Sequence, residues 1–248
     1  MVARRINTVI HAHTNYSYDA NTSPEELVAT AREQGVDCIA VTDHDEIAGA
    51  LAARELGGVR IIVGEEISSA DGHIIGLFLE QWVPPGLTAE ETARRIRAQG
   101  GLVFAPHPFA TLCDSSLHAI GLARLRPYLD AVEVHNAQNP LPWQDARAAA
   151  YARAEGVVPY VGADTHIRGY LAAAVQVMPD FDGPAAFLDG LRQAEFQRGR
   201  FGPGYFARMG LRHIWDRTTG RRLSGFGANV RPRPGARRGS EAEAVPAR

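Results

Sequence analysis

Short apolar runs alternate with longer amphipathic segments along the first two thirds of the chain. Runs such as residues 37–42 and 59–63 carry hydrophobic residues at consecutive positions, which is typical of strands buried on both faces. Segments such as residues 24–34 instead repeat apolar positions at helical spacing. This alternation predicts parallel strands that are joined by crossover helices.

The predicted helices begin at residues that suit a helix N-terminus. Ser23 can cap the first helix, Pro24 fits its first position, and Glu26 completes a capping box. The predicted helices are 24–34, 47–56, 88–98 and 143–154, and the predicted strands are 6–10, 37–42, 59–63, 73–79, 101–105, 130–134 and 157–162. A chain of 248 residues, 45% of them hydrophobic, can form a barrel as one domain.

Polar residues of the types that bind metals follow these strands. In barrels of alternating strands and helices, the C-terminal ends of the strands converge on one face, which carries the chemistry. We therefore expect an α/β fold, a TIM-like barrel that collects these side chains in one pocket. A doubly wound open sheet is the alternative, and it would bring fewer strand ends together. The candidate ligands are His11, His13, Asp19, His44, Glu66, His73, His107, Asp164 and His166.

Residues two positions apart are expected to share one side of a strand. His11 and His13 have this spacing, and Asp164 and His166 repeat it. Glu133 precedes His135 by the same interval, so we expect Glu133 to lie on the side of His135 and to orient a ligand from behind. Each pair would therefore direct its two side chains toward the same site.

Each candidate ligand has an ordinary explanation when it is considered alone. His44 could be a satisfied histidine near a helix cap, His73 opens an apolar strand, and Glu66 could belong to a solvated loop. Their coincidence is harder to explain, because three carboxylates and six imidazoles on one face would repel or stay unsatisfied without cations. Such ligands suit Zn²⁺, Mn²⁺ or Fe²⁺, and nine of them suit two or three ions.

Charge is distributed unevenly along the chain. The formal net charge is −2, but residues 217–248 hold eight arginines and two glutamates, about +6, which leaves about −8 for residues 1–216. An acidic body suits cation binding. We expect residues 1–216 to form the barrel domain and residues 217–248, rich in Arg, Gly and Pro, to be a disordered tail. A solvated tail is favoured over one that binds nucleic acid.

Other residue types exclude several kinds of chemistry. All 26 basic residues are arginine, which excludes Schiff-base chemistry and a P-loop lysine. Cys38 and Cys113 provide no disulfide framework. Because there is no apolar N-terminal segment and no run of about 20 apolar residues, we expect a cytoplasmic protein without a membrane partner or an obligate protein partner.

The candidate ligands lie in motifs that resemble those of the PHP (polymerase and histidinol phosphatase) superfamily. The resemblance implies a distorted (β/α)7 barrel with a trinuclear metal centre at the C-terminal ends of the strands. The motifs occur in order over about residues 6–170: His11-Ala-His13-Thr, Ser17-x-Asp19, Thr42-Asp43-His44-Asp45, Gly64-x-Glu66-Ile67-Ser68, Gly72-His73, His107-Pro108 and Asp164-x-His166. By the resemblance, the first ion would be held by His11, His13, Glu66 and Asp164, the second by Glu66, His73 and His107, and the third by Asp19, His44 and His166.

The resemblance also implies a metal-dependent phosphoesterase. Such an enzyme hydrolyses a phosphate ester with a metal-activated hydroxide, and we assign the reaction to Glu66, Asp164 and His166. The substrate would be a small phosphorylated molecule, which could be a nucleotide or a short oligonucleotide. Its contacts are predicted to be Arg168, which can fork onto phosphate oxygens, together with His135 and Asn136.

One departure from the family concerns the length of a connection. Relatives that act on nucleoside bisphosphates carry an inserted helical domain between the positions of His73 and His107. Only 33 residues separate the two histidines here, so we expect no such cap. The substrate of those relatives is therefore not carried over to this chain.

Other functions remain open. Amidohydrolases that act on lactones or amides also use His-x-His and a late aspartate, but often with a carboxylated lysine as bridge, which this chain lacks; Glu66 could bridge instead. A non-catalytic module associated with a polymerase is disfavoured, because some such PHP domains lose ligands and all nine positions are kept here. A structural site would use about four ligands, often cysteines.

Overall fold

A computed structural model describes residues 4–111 and 115–219. Within these ranges the strands are β1 (Arg5–Ala12), β2 (Cys38–Val41), β3 (Arg60–Ser69), β4 (Gly72–Leu77), β5 (Leu102–Ala105), β6 (Ala131–Asn136), β7 (Val158–Thr165), β8 (Ala174–Pro179) and β9 (Glu195–Arg198). The helices are α1 (Pro24–Glu33), α2 (Ala48–Leu56), α3 (Ala89–Ala98), α4 (His118–Leu125), α5 (Pro142–Glu155), α6 (Gly183–Leu191) and α7 (Pro203–Thr219). A short 3-10 helix, Leu171–Ala173, precedes β8.

The first seven strands close into a barrel. β1 pairs in parallel with both β2 and β7, and the other neighbours follow in chain order from β2 to β7. β4 is antiparallel to both of its neighbours, which distorts the barrel. β8 pairs with the first half of β1, and β9 pairs with β8. The predicted α/β barrel is confirmed, and the open sheet is wrong because the ring closes.

Two buried clusters use the two faces of the same strands. Cys38 and Ala40 of β2 join Tyr160 of β7 in the cluster that fills the barrel interior. Ile39 and Val41, the intervening residues of β2, belong to the cluster between the barrel and its helices. Burial on both faces explains why the strands appear in the sequence as continuous apolar runs.

The four predicted helices are present, with each end within one residue of its predicted position. At α1, Ser23 Oγ accepts a hydrogen bond from Glu26 N (3.2 Å), and Glu26 Oε2 accepts one from Ser23 N (3.1 Å), which confirms the capping box. α4, α6, α7, β8 and β9 were not predicted from the sequence.

Four strands extend past their predicted C-terminal ends, which changes where the polar residues lie. β1 runs to Ala12, β3 to Ser69, β6 to Asn136 and β7 to Thr165, so His11, Glu66 and Asp164 lie inside strands rather than after them. His73 lies at the start of β4 and pairs with Ser68 near the end of β3. Because β4 runs antiparallel, its first residues lie at the same end of the barrel as the last residues of β3.

The predicted boundary between a barrel domain (1–216) and a tail (217–248) falls within α7, which continues to Thr219. Residues 220–248 lie outside the described residues. Between His73 and His107 the chain forms only the rest of β4, α3 and β5, as the short spacing predicts. In the described part of the chain, no helix has both the length and the apolar character needed to cross a bilayer.

Candidate metal centre

All nine candidate ligands lie at one end of the barrel. Their donor atoms form four overlapping groups, and the atoms of each group lie within 4.8 Å of one another. Seven of the nine residues are buried, and the other two are partly buried. The groups are His13, Asp19, His44 and His166; His11, Glu66 and His107; His11, His13 and Asp164; and His44, Glu66 and His73.

The Glu66 carboxylate is at the centre of this set. Its Oε1 lies 2.9 Å from both His73 Nδ1 and His107 Nε2. Its Oε2 lies 3.1 Å from His11 Nε2 and 3.3 Å from His13 Nε2. Its two oxygens thus face different imidazoles, and Glu66 belongs to two of the four donor groups.

Asp19 organises a further group at the edge of the centre. Its Oδ2 lies 3.3 Å from His44 Nε2 and 3.2 Å from His166 Nε2. The His166 ring stacks on the His13 ring, with 4.2 Å between centroids. His44 also reaches Glu66, with 3.3 Å between Nδ1 and Oε2. The group around Asp19 is therefore continuous with the group around Glu66.

Backbone irregularities place His11 and Asp164. The pairing register of β1 shifts between Ile10 and Ala12 against both neighbours, and φ is 68° at His11 and 47° at Asp164. Bulges of this kind re-aim side chains and are frequent near active sites. The rings of His11 and His13 lie 5.2 Å apart as expected, but a bulge rather than regular alternation brings them together.

Carboxylates and imidazoles of the centre shift one another's pKa values. Burial acts to raise the pKa of Glu66, but the histidines around it, His11 foremost, hold that pKa well below its usual range. The pKa values of Asp19 and Asp164 are likewise held low, against burial, by neighbouring histidines. Burial acts to lower the pKa of His11, but Asp164 and Glu66 raise it well above its usual value. The site is therefore built to hold positive charge beside its carboxylates.

The residues present fit divalent metal ions. Within the described residues, three buried atoms of the set make no hydrogen bond: His13 Nε2, His44 Nδ1 and Asp19 Oδ1. Burying a polar atom without a hydrogen-bond partner costs free energy, so the lone pairs of these atoms are expected to bind another group. Imidazole nitrogens and carboxylate oxygens together suit the borderline ions that the sequence predicts.

Two histidines are oriented by hydrogen bonds to their Nδ1 atoms, so that their Nε2 atoms point toward the centre. His11 Nδ1 lies 3.0 Å from Glu133 Oε1, and His13 Nδ1 lies 3.0 Å from Ser17 Oγ. A metal-binding imidazole usually donates its other N–H to such a partner, which leaves Nε2 as the ligand atom. Glu133 thus lies behind His11, as the sequence predicts.

Asp43 fixes the loop after β1 and was not singled out from the sequence. Its buried carboxylate accepts hydrogen bonds from Thr14 N (2.6 Å), Thr14 Oγ1 (2.7 Å) and Ser17 Oγ (2.9 Å). Ser17 Oγ also accepts one from His44 N (3.0 Å). The position of Asp43 beside His44 was the available signal, but nothing in the sequence shows that its partners are residues 14 and 17.

Two of the three predicted substrate contacts lie near the centre or its rim. Arg168, with a side chain 55% exposed, has its Nη1 3.4 Å from Glu26 Oε1. Asn136 Nδ2 donates to Glu133 Oε2 (2.9 Å) and to Asp164 Oδ2 (3.0 Å). Asn136 therefore already supports a candidate ligand, while Arg168 forms an exposed ion pair with Glu26.

His135 does not share the side of Glu133, and the expectation from their spacing is wrong. His135 Nδ1 lies 2.9 Å from Asp145 Oδ2, and its Nε2 lies 2.8 Å from Gly199 O. The pairing register of β6 against β7 shifts between Glu133 and His135, which ends the period-two alternation. Both ring nitrogens of His135 are therefore engaged by α5 and by the segment before α7.

Comparisons with known proteins agree with this geometry. A family model for the PHP domain matches residues 10–140. The match contains seven of the nine candidate ligands, while Asp164 and His166 lie beyond it. An uncharacterized protein of Methanocaldococcus jannaschii is 38% identical over 141 residues, which are 52% of this chain and 80% of that protein.

Two further relatives have descriptive names. A phosphoribosyl 1,2-cyclic phosphate 1,2-diphosphodiesterase of Eggerthella lenta is 38% identical over 84 residues, which are 30% of this chain and 32% of that enzyme. A two-domain protein from Bacteroides vulgatus that contains a predicted PHP-like metal-dependent phosphoesterase is similar in structure, with a TM-score of 0.63. The match covers 79% of this chain and 66% of that chain at 18% identity, so the likeness is one of fold.

Proposed function

The chain belongs to the PHP domain family, and on this premise we propose that it is a metal-dependent phosphoesterase. The observation that carries the proposal is the buried Glu66 carboxylate, whose two oxygens are shared among five imidazoles from four different parts of the chain. The name of the Eggerthella relative supports a phosphate ester as the substrate.

The proposed centre would hold three ions, and the nine candidate ligands would be divided among them. When bound, divalent ions supply Lewis acidity and an activated water at neutral pH. Glu66 would be a ligand of both the first and the second ion, and Asp164 and His166, two residues apart, would be ligands of the first and the third. The proposed ligands are His11, His13, Glu66 and Asp164 for the first ion, Glu66, His73 and His107 for the second, and Asp19, His44 and His166 for the third.

The proposed substrate is a small phosphorylated molecule such as a nucleotide or a short oligonucleotide. No inserted domain lies between His73 and His107, which leaves that side of the centre uncapped. Arg168 is the proposed phosphate contact, because an exposed ion pair such as the one with Glu26 contributes little and can be exchanged for a phosphate. The partners of Asn136 and His135 favour orienting roles for these two residues over direct contact with the substrate.

An amidohydrolase that cleaves a lactone or amide is the second candidate. Glu66 occupies the bridging position that a carboxylated lysine often fills in such enzymes. Metal ions held by the same residues could therefore activate water for attack on a carbonyl carbon. A substrate panel that includes a lactone separates the two candidates.

Asp164→Asn is the variant that tests the proposal. Asp164 Oδ1 lies 3.5 Å from Nε2 of both His11 and His13, and an amide at this position loses the charge that a metal ion requires. The Mn²⁺-loaded protein should hydrolyse p-nitrophenyl phosphate, its bis-ester, a nucleoside bisphosphate or a short RNA. The products to measure are p-nitrophenol from the first two, phosphate from the third and shortened RNA from the fourth. The variant should lose activity by more than the roughly 10–100-fold that follows loss of an outer partner, and it should bind less metal.

Asp189→Asn is the matched control, because Asp189 of α6 is 71% exposed and pairs with Arg192, the residue after that helix. It should keep the activity and metal content of the unchanged protein. Turnover of the lactone alone would move the chain to the amidohydrolase candidate. Wild-type phosphate release by Asp164→Asn would show that the assigned centre is wrong.

A further inference from the structure

Two residues without an assigned role contact the last pair of candidate ligands. Gln138 follows β6, and its Nε2 donates a hydrogen bond to Asp164 Oδ2 (3.2 Å). Tyr205 lies in α7, and its hydroxyl accepts a hydrogen bond from His166 N (3.1 Å). The same hydroxyl donates to Gln138 Oε1 (3.2 Å). One chain of hydrogen bonds thus runs from His166 through Tyr205 and Gln138 to Asp164.

The backbone N–H of His166, the first group in this series of hydrogen bonds, determines the direction of the others. The backbone N–H of His166 can only donate, so the Tyr205 hydroxyl accepts there and has its one proton left for Gln138 Oε1. With its oxygen engaged by Tyr205, the Gln138 amide must present its NH₂ to the Asp164 carboxylate. Without the hydroxyl, Gln138 Oε1 loses this hydrogen-bond donor, and the amide that donates to Asp164 is held less firmly in place.

Packing holds the Tyr205 hydroxyl in place. Tyr205 is 1% exposed, and its ring stacks on Phe201 with 3.9 Å between centroids and meets Tyr170 edge-on at 4.9 Å. Phe201 N donates to Ala137 O (2.9 Å), which ties this aromatic group to the residue before Gln138. The hydroxyl therefore has little freedom to leave the line between His166 and Gln138.

Asp164 needs such support because its backbone is strained. Its φ of 47° is rare for a residue other than glycine, and such a conformation persists only where surrounding contacts determine it. Asn136 and Gln138 both donate to Oδ2, which leaves Oδ1 toward His11 and His13. The amides thus decide which carboxylate oxygen faces the metal centre.

We infer that Tyr205 and Gln138 are positioning residues that hold Asp164 and His166 in the geometry required to bind metal. The inference rests on the metal centre of the proposed function. It extends the site to α7, beyond the residues that the PHP family model matches. α7 thereby helps to position metal ligands, in addition to covering the barrel.

Tyr205→Phe tests this inference, since it removes the hydroxyl and keeps the ring. Equilibrium dialysis with elemental analysis should show that at least one Mn²⁺ binds roughly tenfold more weakly or worse, the range found for outer partners of metal ligands. Gln138→Ala should weaken the same ion. The double variant should be no weaker than either single variant, because the two residues act in one chain. Substitution with Co²⁺ should give an altered absorption spectrum in each variant.

Tyr170→Phe is the matched control, because it removes a hydroxyl from the same aromatic group. It should keep wild-type Mn²⁺ affinity and the wild-type Co²⁺ spectrum. Wild-type affinity in Tyr205→Phe, or an equal loss in Tyr170→Phe, would overturn the inference while leaving the proposed function intact. Absence of Mn²⁺ binding by the unchanged protein would instead overturn both. If Tyr205→Phe does not fold, Gln138→Ala, at a partly buried loop position, decides the question.

Discussion

Three candidate ligands have backbone conformations that residues other than glycine rarely adopt. The φ angle is 68° at His11, 24° at His107 and 47° at Asp164, and each such conformation costs about 1–3 kcal/mol. Glu133 supports two of them, because its Oε1 lies 3.0 Å from His11 Nδ1 and its Oε2 accepts from His107 N at 2.6 Å. At the scale of single residues, Glu133 therefore supports two of the strained ligands at once.

Gly162→Ala should disturb that support. A Cβ at Gly162 would lie 1.6 Å from Glu133 Oε1 and 3.4 Å from His11 Cβ, so Glu133 must move. We expect a free energy of unfolding lower by about 1–3 kcal/mol, as for other overpacked sites, together with weaker Mn²⁺ binding. Urea denaturation and metal dialysis measure the two effects.

Gly210→Ala is the control for this substitution, because among the described residues no atom outside the adjoining backbone of α7 lies within 4 Å of the added Cβ. In α7 the change should leave stability unchanged or raise it by up to about 1 kcal/mol, through higher helix propensity. If Gly162→Ala bound Mn²⁺ as tightly as Gly210→Ala, the position of Glu133 would not matter to the centre.

Among the elements, α1 connects a helix cap to the rim of the centre. Glu26 uses Oε2 to complete the capping box with Ser23 and has Oε1 3.4 Å from Arg168 Nη1. The cap thus fixes the carboxylate that holds the proposed phosphate contact. α3 has a comparable cap at Thr88, whose Oγ1 accepts from Glu91 N at 3.2 Å, but none of the candidate ligands or substrate contacts lies in that helix.

Ser23→Ala and Thr88→Ala therefore form a matched pair. Each should lower the free energy of unfolding by about 1 kcal/mol through loss of the cap, which urea denaturation measures. Only Ser23→Ala should also change KM for a phosphate ester, because it frees Glu26 and hence Arg168. An equal change of KM in both variants would argue against a link between α1 and the substrate.

For the whole molecule, the charge of the centre makes stability depend on pH in opposite ways with and without metal. The pKa values of His11, His13, His44 and His166 are raised by the carboxylates beside them, against the effect of burial. In the metal-free protein, the stability from these histidines is fully present below about pH 6.5, their unfolded pKa. It is lost as pH rises through the raised values. The pKa of His73 is lowered by burial, so His73 contributes with the opposite sign.

The metal-loaded protein should show the reverse trend, because ions replace the protons on the imidazoles. From pH 6 to pH 8.5, Tm should fall in the presence of a chelator and rise in the presence of Mn²⁺. Binding of Mn²⁺ near pH 6.5 should also release protons, which calorimetry in two buffers of different ionisation enthalpy can count. Parallel trends with and without metal would contradict the assignment of these histidines as ligands.

Much of the fold could be predicted because helix caps and buried strands depend on residues that are close together in the sequence. The capping box at Ser23 and Glu26 involves residues three apart, and the helix it starts ends where expected. The continuous apolar run at β2 follows from burial of both strand faces. α4 and the elements after β7 were not predicted. For β8 the reason is that this strand depends on pairing with β1, far away in the chain.

The sequence by itself determined which residue types the site contains and in which order they occur, because ligand chemistry belongs to the side chains. Only the tertiary structure decided how they meet. The antiparallel direction of β4 brings His73 to the site, a bulge turns His11 inward, and the shift after Glu133 sends His135 away. Tyr205 reaches His166 only because α7 packs against the loop that contains Gln138. Backbone irregularities and contacts between distant residues depend on closure of the whole barrel, and for that reason no short stretch of sequence encodes them.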